Sequence, residues 1–574
     1  MLTLPSNTFP SNTPSRRSRL SILTISLAVL LTFASHAGAE FFYVGAGADC
    51  DANTIGGGLF LAALNGPGTD TIIIARNQTY TAQKLFISNH SVILQGGYED
   101  CSGTVSTEPT IIDGAGGVDD VVIEYNATDG TTYTQMLRNL HIRGGEQGGV
   151  KVQGTTSFSL SDTIVSDHMG PGIQVDGSGA RATVLAGSIV RQNQAAEGAG
   201  VHCRNGSVTI RGTVADNEAT SHGGGVYLSS CHLEMNGEGA GRVSGNRAGG
   251  NGGGIYSLNG LVNLRGNSGG PISIEGNHAD GHGGGMFITV QALTARNTHI
   301  VDNTSLGYGG GVYGTLGARI SLSRNADCPD PQRCSRLSGN VAEGSAGVSG
   351  GGALALTLGS EATILQTYVE ENRAGGLDWG GAGSVAHVGN NSTLNLGMSV
   401  LARNDGVEAV YLDTGAADLL VYGVTSADQT VSGETGHSFL SARDAVPVEI
   451  KTSIITEQLR PDMNGDLSIN GLLVTSAQGT LPGDGVNVIV GDPMFVDAAF
   501  GNYMLSADSP AVDATTYQSF GFFFYDRDAH WQSRGFLVDN LATRYDFGAL
   551  ESRGPWVELF VDGFELGDLS AWSE

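Results

Sequence analysis

The chain has 574 residues, among them 88 Gly, 15 Pro and 6 Cys, and its 57 acidic against 29 basic side chains give a formal net charge of −28. That balance excludes nucleic acid as a partner, because phosphate binding needs a clustered basic surface. Glycine runs at about twice average usage without a period of three, and a hydrophobic content of 40% can fill a core, which excludes collagen-like and disordered chains.

Residues 1–39 read as an export signal peptide. Arg16, Arg17 and Arg19 precede an apolar run from Leu20 to Ala34, and Ala37 and Ala39 stand at the small positions of a cleavage site. Removing this segment takes away three Arg and no acid, leaving 26 basic and 57 acidic residues and a net charge of −31. Only Lys84, Lys151 and Lys451 remain as lysines. No other stretch approaches transmembrane length, so no transmembrane span is expected in the mature chain, and export from a Gram-negative bacterium to the outer surface, the medium or the periplasm is the expected route. Cys usage agrees with an oxidising compartment. Cys50 and Cys101 bracket the first repeats, Cys328 and Cys334 enclose a short loop, and Cys203 and Cys231 lie about one repeat apart as a third candidate pair. The alternative for all six is buried free thiols.

Two markers then alternate. An Asn follows a short β-prone segment at Asn193, Asn217, Asn246, Asn277, Asn303, Asn340, Asn372 and Asn404, spanning 211 residues in seven intervals, about 30 per unit. A glycine run, as in "SHGGGVYL", "NGGGIYSL" and "GHGGGMFI", ends at residues 200, 225, 254, 285, 311, 352 and 383. Between markers, segments such as "CHLEM" and "LVNLRG" alternate with period two, the pattern of short strands, and no stretch after residue 40 sustains a helical period. Short strands at a fixed long period stack as a parallel solenoid, whose crossovers are right-handed. The expected fold is therefore all-β, a single right-handed parallel β-helix with about three short strands per coil. Gly serves bends and close coil-to-coil approach, and Asn is expected to take the left-handed conformation at a bend and to stack into a hydrogen-bonded amide ladder. A β-propeller would need a longer unit.

The paired signals, "x-G-N-x-A" followed by "GGG[IVM][YF]", resemble the repeats of polymorphic outer-membrane proteins over roughly 190–385, with a softer match back to residue 55. The stretch "GDPMFVDAAFGNYMLSADSPAVDA" with the later "YDFGALE" resembles the closing module known as the choice-of-anchor Q domain, although "YDRDAHWQSRGF" departs from the acidic-glycine turn of that module. These resemblances imply 40–515 as the β-helix with its N-terminal cap, 516–552 as the closing module, and 553–574 as a C-terminal tail like those of many secreted Gram-negative proteins. No membrane-barrel pattern follows residue 515, so the resemblance implies a passenger without its own translocator.

The chemistry-bearing residues are few. His282 in "GHG" matches one motif of polygalacturonases, but the basic segment those enzymes need is absent and the Asp119–Asp120 pair lies about 160 residues away in sequence. The slot before the glycine triplet reads His222, Asn251, His282 and Tyr308 in successive units, which marks it as a variable corner. Lyase chemistry would need a Ca²⁺-binding carboxylate cluster beside an Arg base, for which Glu370, Glu371, Arg373 and Asp378, with Trp379 as a sugar platform, are the candidates. "DMNGDLSING" starts like a calcium loop, but its twelfth position is Leu473 rather than Glu. No cofactor or dedicated metal site is expected, and Ca²⁺ would associate only loosely with the acidic surface. The expected function is non-catalytic adhesion or cell-surface and matrix interaction by a monomer, through a glycan or protein ligand, and the alternative is a polysaccharide lyase or glycoside hydrolase.

Overall fold

The computed structural model describes residues 38–550 outside 116–119, 237–240, 268–269, 325–334, 345–349, 376–382, 431–437, 460–466, 476–485, 513, 517–535 and 539–541. Cys328, Cys334, Asp119, Asp378, Trp379, the calcium-loop residues Asp462, Asn464 and Asp466, most of the export segment and the tail 553–574 lie outside the described residues.

Alternation becomes burial directly. In Leu261–Arg265, Val262 and Leu264 are wholly buried while Leu261, Asn263 and Arg265 face outward. A strand this short cannot bury its apolar side alone, so it stacks on the same strand of the next unit. One coil runs through Val226–Ser229, His232–Asn236, Arg242–Ser244 and the two-residue Arg247–Ala248. Each pairs in parallel with its counterpart one coil on, Val226 with Ile255, Leu233 with Val262, Val243 with Ile274 and Ala248 with Ala279. The first of these ladders holds 14 strands, from Leu85–Ser88 to Gln458–Leu459, and the second and third join at one corner into a 29-stranded sheet. At the spacing of hydrogen-bonded strands, 14 strands make a rod about 62 Å long. Its interior is one continuous apolar cluster from Val44 to Val474.

One element departs from the expectation of no helix after residue 40. Ile55–Asn65 is an α-helix in spite of its three glycines, started by Thr54, whose hydroxyl accepts from the Gly57 N–H at 3.0 Å. It buries Ile55, Gly58 and Ala62 over the open end of the first coil, where a solenoid would expose core, and that packing outweighs weak intrinsic propensity.

The last ladder strand is Val486–Val490. An antiparallel pair follows, Phe495–Asp497 with Asn502–Leu505, and the chain lies back against the outer side of earlier coils. Tyr503, Ala549 and Leu550 pack on Tyr368, Val400 and Ala427, and Leu505, Ala511 and Phe547 on Ile454 and Leu473. Strands Tyr368–Glu370, Val400–Ala402 and Thr425–Ala427 are accordingly buried on both faces.

The asparagines are interior, 0–1% exposed, and do not take the left-handed conformation. The residue before each does: Gln192, Asp216, Gly245, Gly276, Asp302, Gly339, Glu371 and Arg403 all have φ between 52° and 66°. This corrects the expected role of Asn at the bend. The preceding residue turns the chain so that the Asn side chain points inward, where a full set of partners waits. Asn277 Oδ1 accepts from both the Asn246 N–H at 3.0 Å and Asn246 Nδ2 at 2.9 Å, while its own Nδ2 donates to Val243 O at 3.0 Å and to Asn303 Oδ1 at 2.9 Å. The same pattern joins Asn193 through to Asn404. Because a backbone N–H must meet an acceptor, the network fixes which end of each amide is oxygen.

The glycine triplet is the other side of this device. Gly252, at φ 68°, makes the bend, and a Cβ on Gly254 would stand 2.7 Å from Gly285 O and 3.0 Å from Asn277 Cγ of the next coil. The third glycine therefore lies against the amide ladder, which is why the two sequence markers travel together. Ala353 takes this place after Gly351 and Gly352, and in the next coil Gly383 is followed by Ser384 and Val385.

Two disulfides close within the described residues. Cys50–Cys101 joins the first coils, with Cα atoms 5.2 Å apart, and Cys203–Cys231 joins successive coils, with Cα atoms 6.2 Å apart.

Asn277→Ala leaves the buried Asn246 N–H without its acceptor, takes a donor from Val243 O and removes one bond each from the Asn246 and Asn303 amides, and is expected to cost about 3 kcal/mol, read as a drop in the denaturant midpoint. Val290, a β-branched residue held at φ 65° and 49% exposed, occupies a corner that Asn259 fills one coil earlier. Val290→Asn is expected to raise stability by about 1 kcal/mol in the same measurement, because Asn visits this conformation at lower cost.

Candidate functional site

The carboxylate cluster is the place where the sequence allows acid–base chemistry. Glu370 ends the strand Tyr368–Glu370 and is 6% exposed. Its Oε2 receives Arg336 at 3.0 Å and Arg403 at 3.3 Å. Glu371, turned outward at the left-handed corner, takes Arg403 Nε at 3.2 Å. Arg403 also donates to the Tyr503 hydroxyl at 3.1 Å, and Tyr503 donates to Asp428 at 2.9 Å. The structure thus brings Glu370 and Glu371 together through Arg403, and places Arg373 in a separate pair with Asp405 at 3.9 Å.

This geometry suits docking better than proton transfer. Burial works against the charge on Arg403, but Glu370 and Tyr503 outweigh it and hold its pKa above the ordinary value. Burial, then the hydrogen bond to Asp428, raises the Tyr503 pKa likewise. A guanidinium so held is a poor base, and Glu370 has its charge balanced by two cations. What the cluster does is clamp the returning C-terminal segment, through Tyr503, to the rod.

A second feature is a stripe of rings along the outer face of the 14-stranded ladder. His202, Tyr227, Tyr256, Phe287 and Tyr313 occupy one register row. Their centroids are 5.0–5.2 Å apart and their planes lie within 29° of parallel. Ala355 interrupts the row, and Tyr308 from the preceding corner leans in, 4.9 Å from the His387 ring. Because each ring covers the face of the next, Tyr227, Phe287 and Tyr313 are only 7–9% exposed and offer edges rather than a flat sugar platform.

The slot before the triplet is less variable in role than in sequence. His282 donates its N–H to Asn251 Oδ1 at 2.8 Å and accepts the Tyr308 N–H on Nδ1 at 2.9 Å, and the Asn251 N–H goes to His222 Nδ1 at 3.0 Å. The rings of His222 and His282 also stack on Tyr256 and Tyr313. Burial lowers the pKa of both, consistent with neutral rings that accept a backbone N–H. His282 is thus part of a second coil-to-coil hydrogen-bond row, and Asp120, paired with Lys84, lies six coil steps, about 29 Å, away from it.

Two residues at the ends of the amide ladder escaped the sequence reading. His168 stands one coil before Asn193: its Nδ1 accepts the Gly145 N–H at 2.8 Å and its Nε2 faces Ile142 O at 3.2 Å, and it offers its own N–H to Asn193 Oδ1 at 3.2 Å. Nδ1 is the acceptor and Nε2 carries the proton, so a neutral imidazole does what Asn does elsewhere. Gln429 closes the other end, accepting the Asn404 N–H at 2.9 Å. The signal was present, since "VSDHMG" and "SADQTV" align with "VRQNQA" once the residue type is relaxed.

Residues 111–233 match the family described as the right-handed β-helix region. The fold is a right-handed parallel β-helix. No curated protein matches the chain. No helix among the described residues is long and apolar enough to cross a membrane, and no group of three or more His, Cys, Asp or Glu among them is placed to hold a metal ion.

Burial lowers the His168 pKa from 6.5 to about 4. The unfolded chain then binds the extra proton between those values, so the His168 contribution is complete above pH 6.5 and is lost as pH falls toward 4, at about 1.4 kcal/mol per pH unit. His168→Asn keeps the acceptor and donor without titrating. It is expected to flatten the fall of the thermal midpoint between pH 6.5 and 4.

Proposed function

We propose that this chain is an exported, non-catalytic β-helix that works by surface contact, in adhesion or in attachment to cell-surface or matrix material. The fold is shared by surface adhesins and by enzymes acting on polysaccharides, so the sites must decide. The observation that carries the reading is that Glu370, the buried carboxylate of the acid–base candidates, is neutralised by Arg336 and Arg403 in a clamp for the C-terminal segment. Within that reading the repeats are of the polymorphic outer-membrane protein kind, residues 516–552 are a closing module of the choice-of-anchor Q kind, and the two disulfides suit an oxidising exterior.

The test is incubation of the mature protein with acidic and neutral glycans, following both bound polymer and released ends. Retention without new ends is the expected result. Glu370→Gln is expected to loosen the C-terminal segment, seen as faster proteolysis near residue 500, and not to change any turnover. Depolymerisation that disappears in Glu370→Gln and Glu371→Gln would replace this reading with a lyase or hydrolase.

A further inference from the structure

Many cations among the described residues sit beside a carboxylate: Arg76 with Glu99, Arg143 with Asp113, Arg242 with Glu275, Arg247 with Asp280, Arg443 with Asp413. One outer face breaks that rule. On the strands Tyr133–Arg138, Thr156–Ser161, Arg181–Val184, Ser207–Ile210, His232–Asn236, Leu261–Arg265, Ala292–Arg296 and Arg319–Ser323, alternation turns every second side chain to solvent. Those outward positions, with Arg211 just past the fourth strand, carry Arg138, Arg181, Arg211, Arg265, Arg296 and Arg319, against two acids, Glu234 and, on the next strand, Glu361 in register with Arg319. Among the described residues, none of the six arginines makes an ion pair. Arg211 donates to Asn236 Oδ1 at 3.1 Å, and Arg138 reaches only the sulfur of Met136 at 3.3 Å.

Two details argue against chance. Arg265 and Arg296 are direct cross-strand partners in register, an arrangement of like charges that destabilises a sheet unless something anionic lies across both. Between the flanking arginines runs a row in register, Ser159, Thr183, Thr209, then Glu234, then Asn263, Thr294 and Ser321. These are short hydroxyl and amide groups repeating every coil, about 4.8 Å apart. Among the described residues, the opposite face carries edge-on rings in register instead of such a row.

We propose that this face binds a linear acidic polysaccharide lying along the rod axis, its carboxylate or sulfate groups taken by the arginines and its hydroxyls by the central Ser/Thr/Asn row. This rests on the surface-contact reading above and names its ligand. A planar guanidinium holds such groups with two parallel hydrogen bonds, and the coil repeat presents donors at a spacing comparable to one sugar residue. Net negative charge elsewhere is no obstacle at 0.15 M salt, where the Debye length is about 8 Å and the other faces are screened.

The experiment measures binding of fluorescent alginate, chondroitin sulfate and dextran to the mature protein at 0.15 M salt. The acidic polymers are expected to bind and dextran not to. Arg265→Gln with Arg296→Gln is expected to weaken acidic-polymer binding at least ten-fold and to reduce its salt dependence, with an unchanged melting temperature or a slightly raised one. Arg443→Gln, on another face, is the control expected to bind as the parent does. Unchanged affinity in the double variant overturns the proposal, as does poly-glutamate binding as tightly as the polysaccharides. Release of new chain ends in the same mixtures would instead sink the non-catalytic reading and leave the docking face standing.

Discussion

The amide ladder is the constraint on which the rest of this molecule depends. An Asn side chain has two acceptor sites on oxygen and two N–H donors, and in the central coils all four are used by the coils above and below. A buried amide with any one of these missing would cost free energy, while a complete set rigidifies the coil. The ladder therefore admits only one register between coils. A slip of one residue would swap the inside and outside of every strand and strand each amide among apolar groups. The glycine that lies flat on the next coil's amide is the steric half of the same constraint.

From that fixed register the surface follows. Once coils cannot slide, equivalent positions form straight rows along the rod, and the properties of a row are the sum of small choices made once per coil. Rings placed at one position become a stack that closes over itself. Hydroxyls and guanidiniums at another become a polar, cationic strip on a strongly acidic protein. Apolar residues at a third, Tyr368, Val400 and Ile454, become the bed for the returning C-terminal segment. A solenoid needs no cleft to act on an extended partner, because its unit of recognition is the repeat itself.

The clamp around Arg403 shows why a list of reactive residue types is a weak guide to chemistry in such a protein. Glu370, Glu371 and Arg403 would suit a lyase if left open to solvent. Tyr503, a hundred residues further on, fills the space in front of them and accepts one of the guanidinium hydrogen bonds. His282 makes the same point in the opposite direction: its sequence neighbourhood suggests either catalysis or an idle corner, and its imidazole instead holds the next coil's backbone.

The parallel coil and the inward residues of each strand were legible in the sequence, because a period of two within strands and a period near 30 between markers are local facts repeated many times. The eight asparagines were visible for the same reason, although His168 and Gln429, which play the same part with different side chains, were hidden by their identity. Only the tertiary structure decided which residue takes the left-handed bend, since φ depends on where the neighbouring coil leaves room and not on residue type. The same holds for the helix Ile55–Asn65, for the clamp that joins Arg403 to Tyr503, and for the gathering of six arginines on one face. Those outcomes depend on contacts between residues far apart in the chain, where no short-range period reaches.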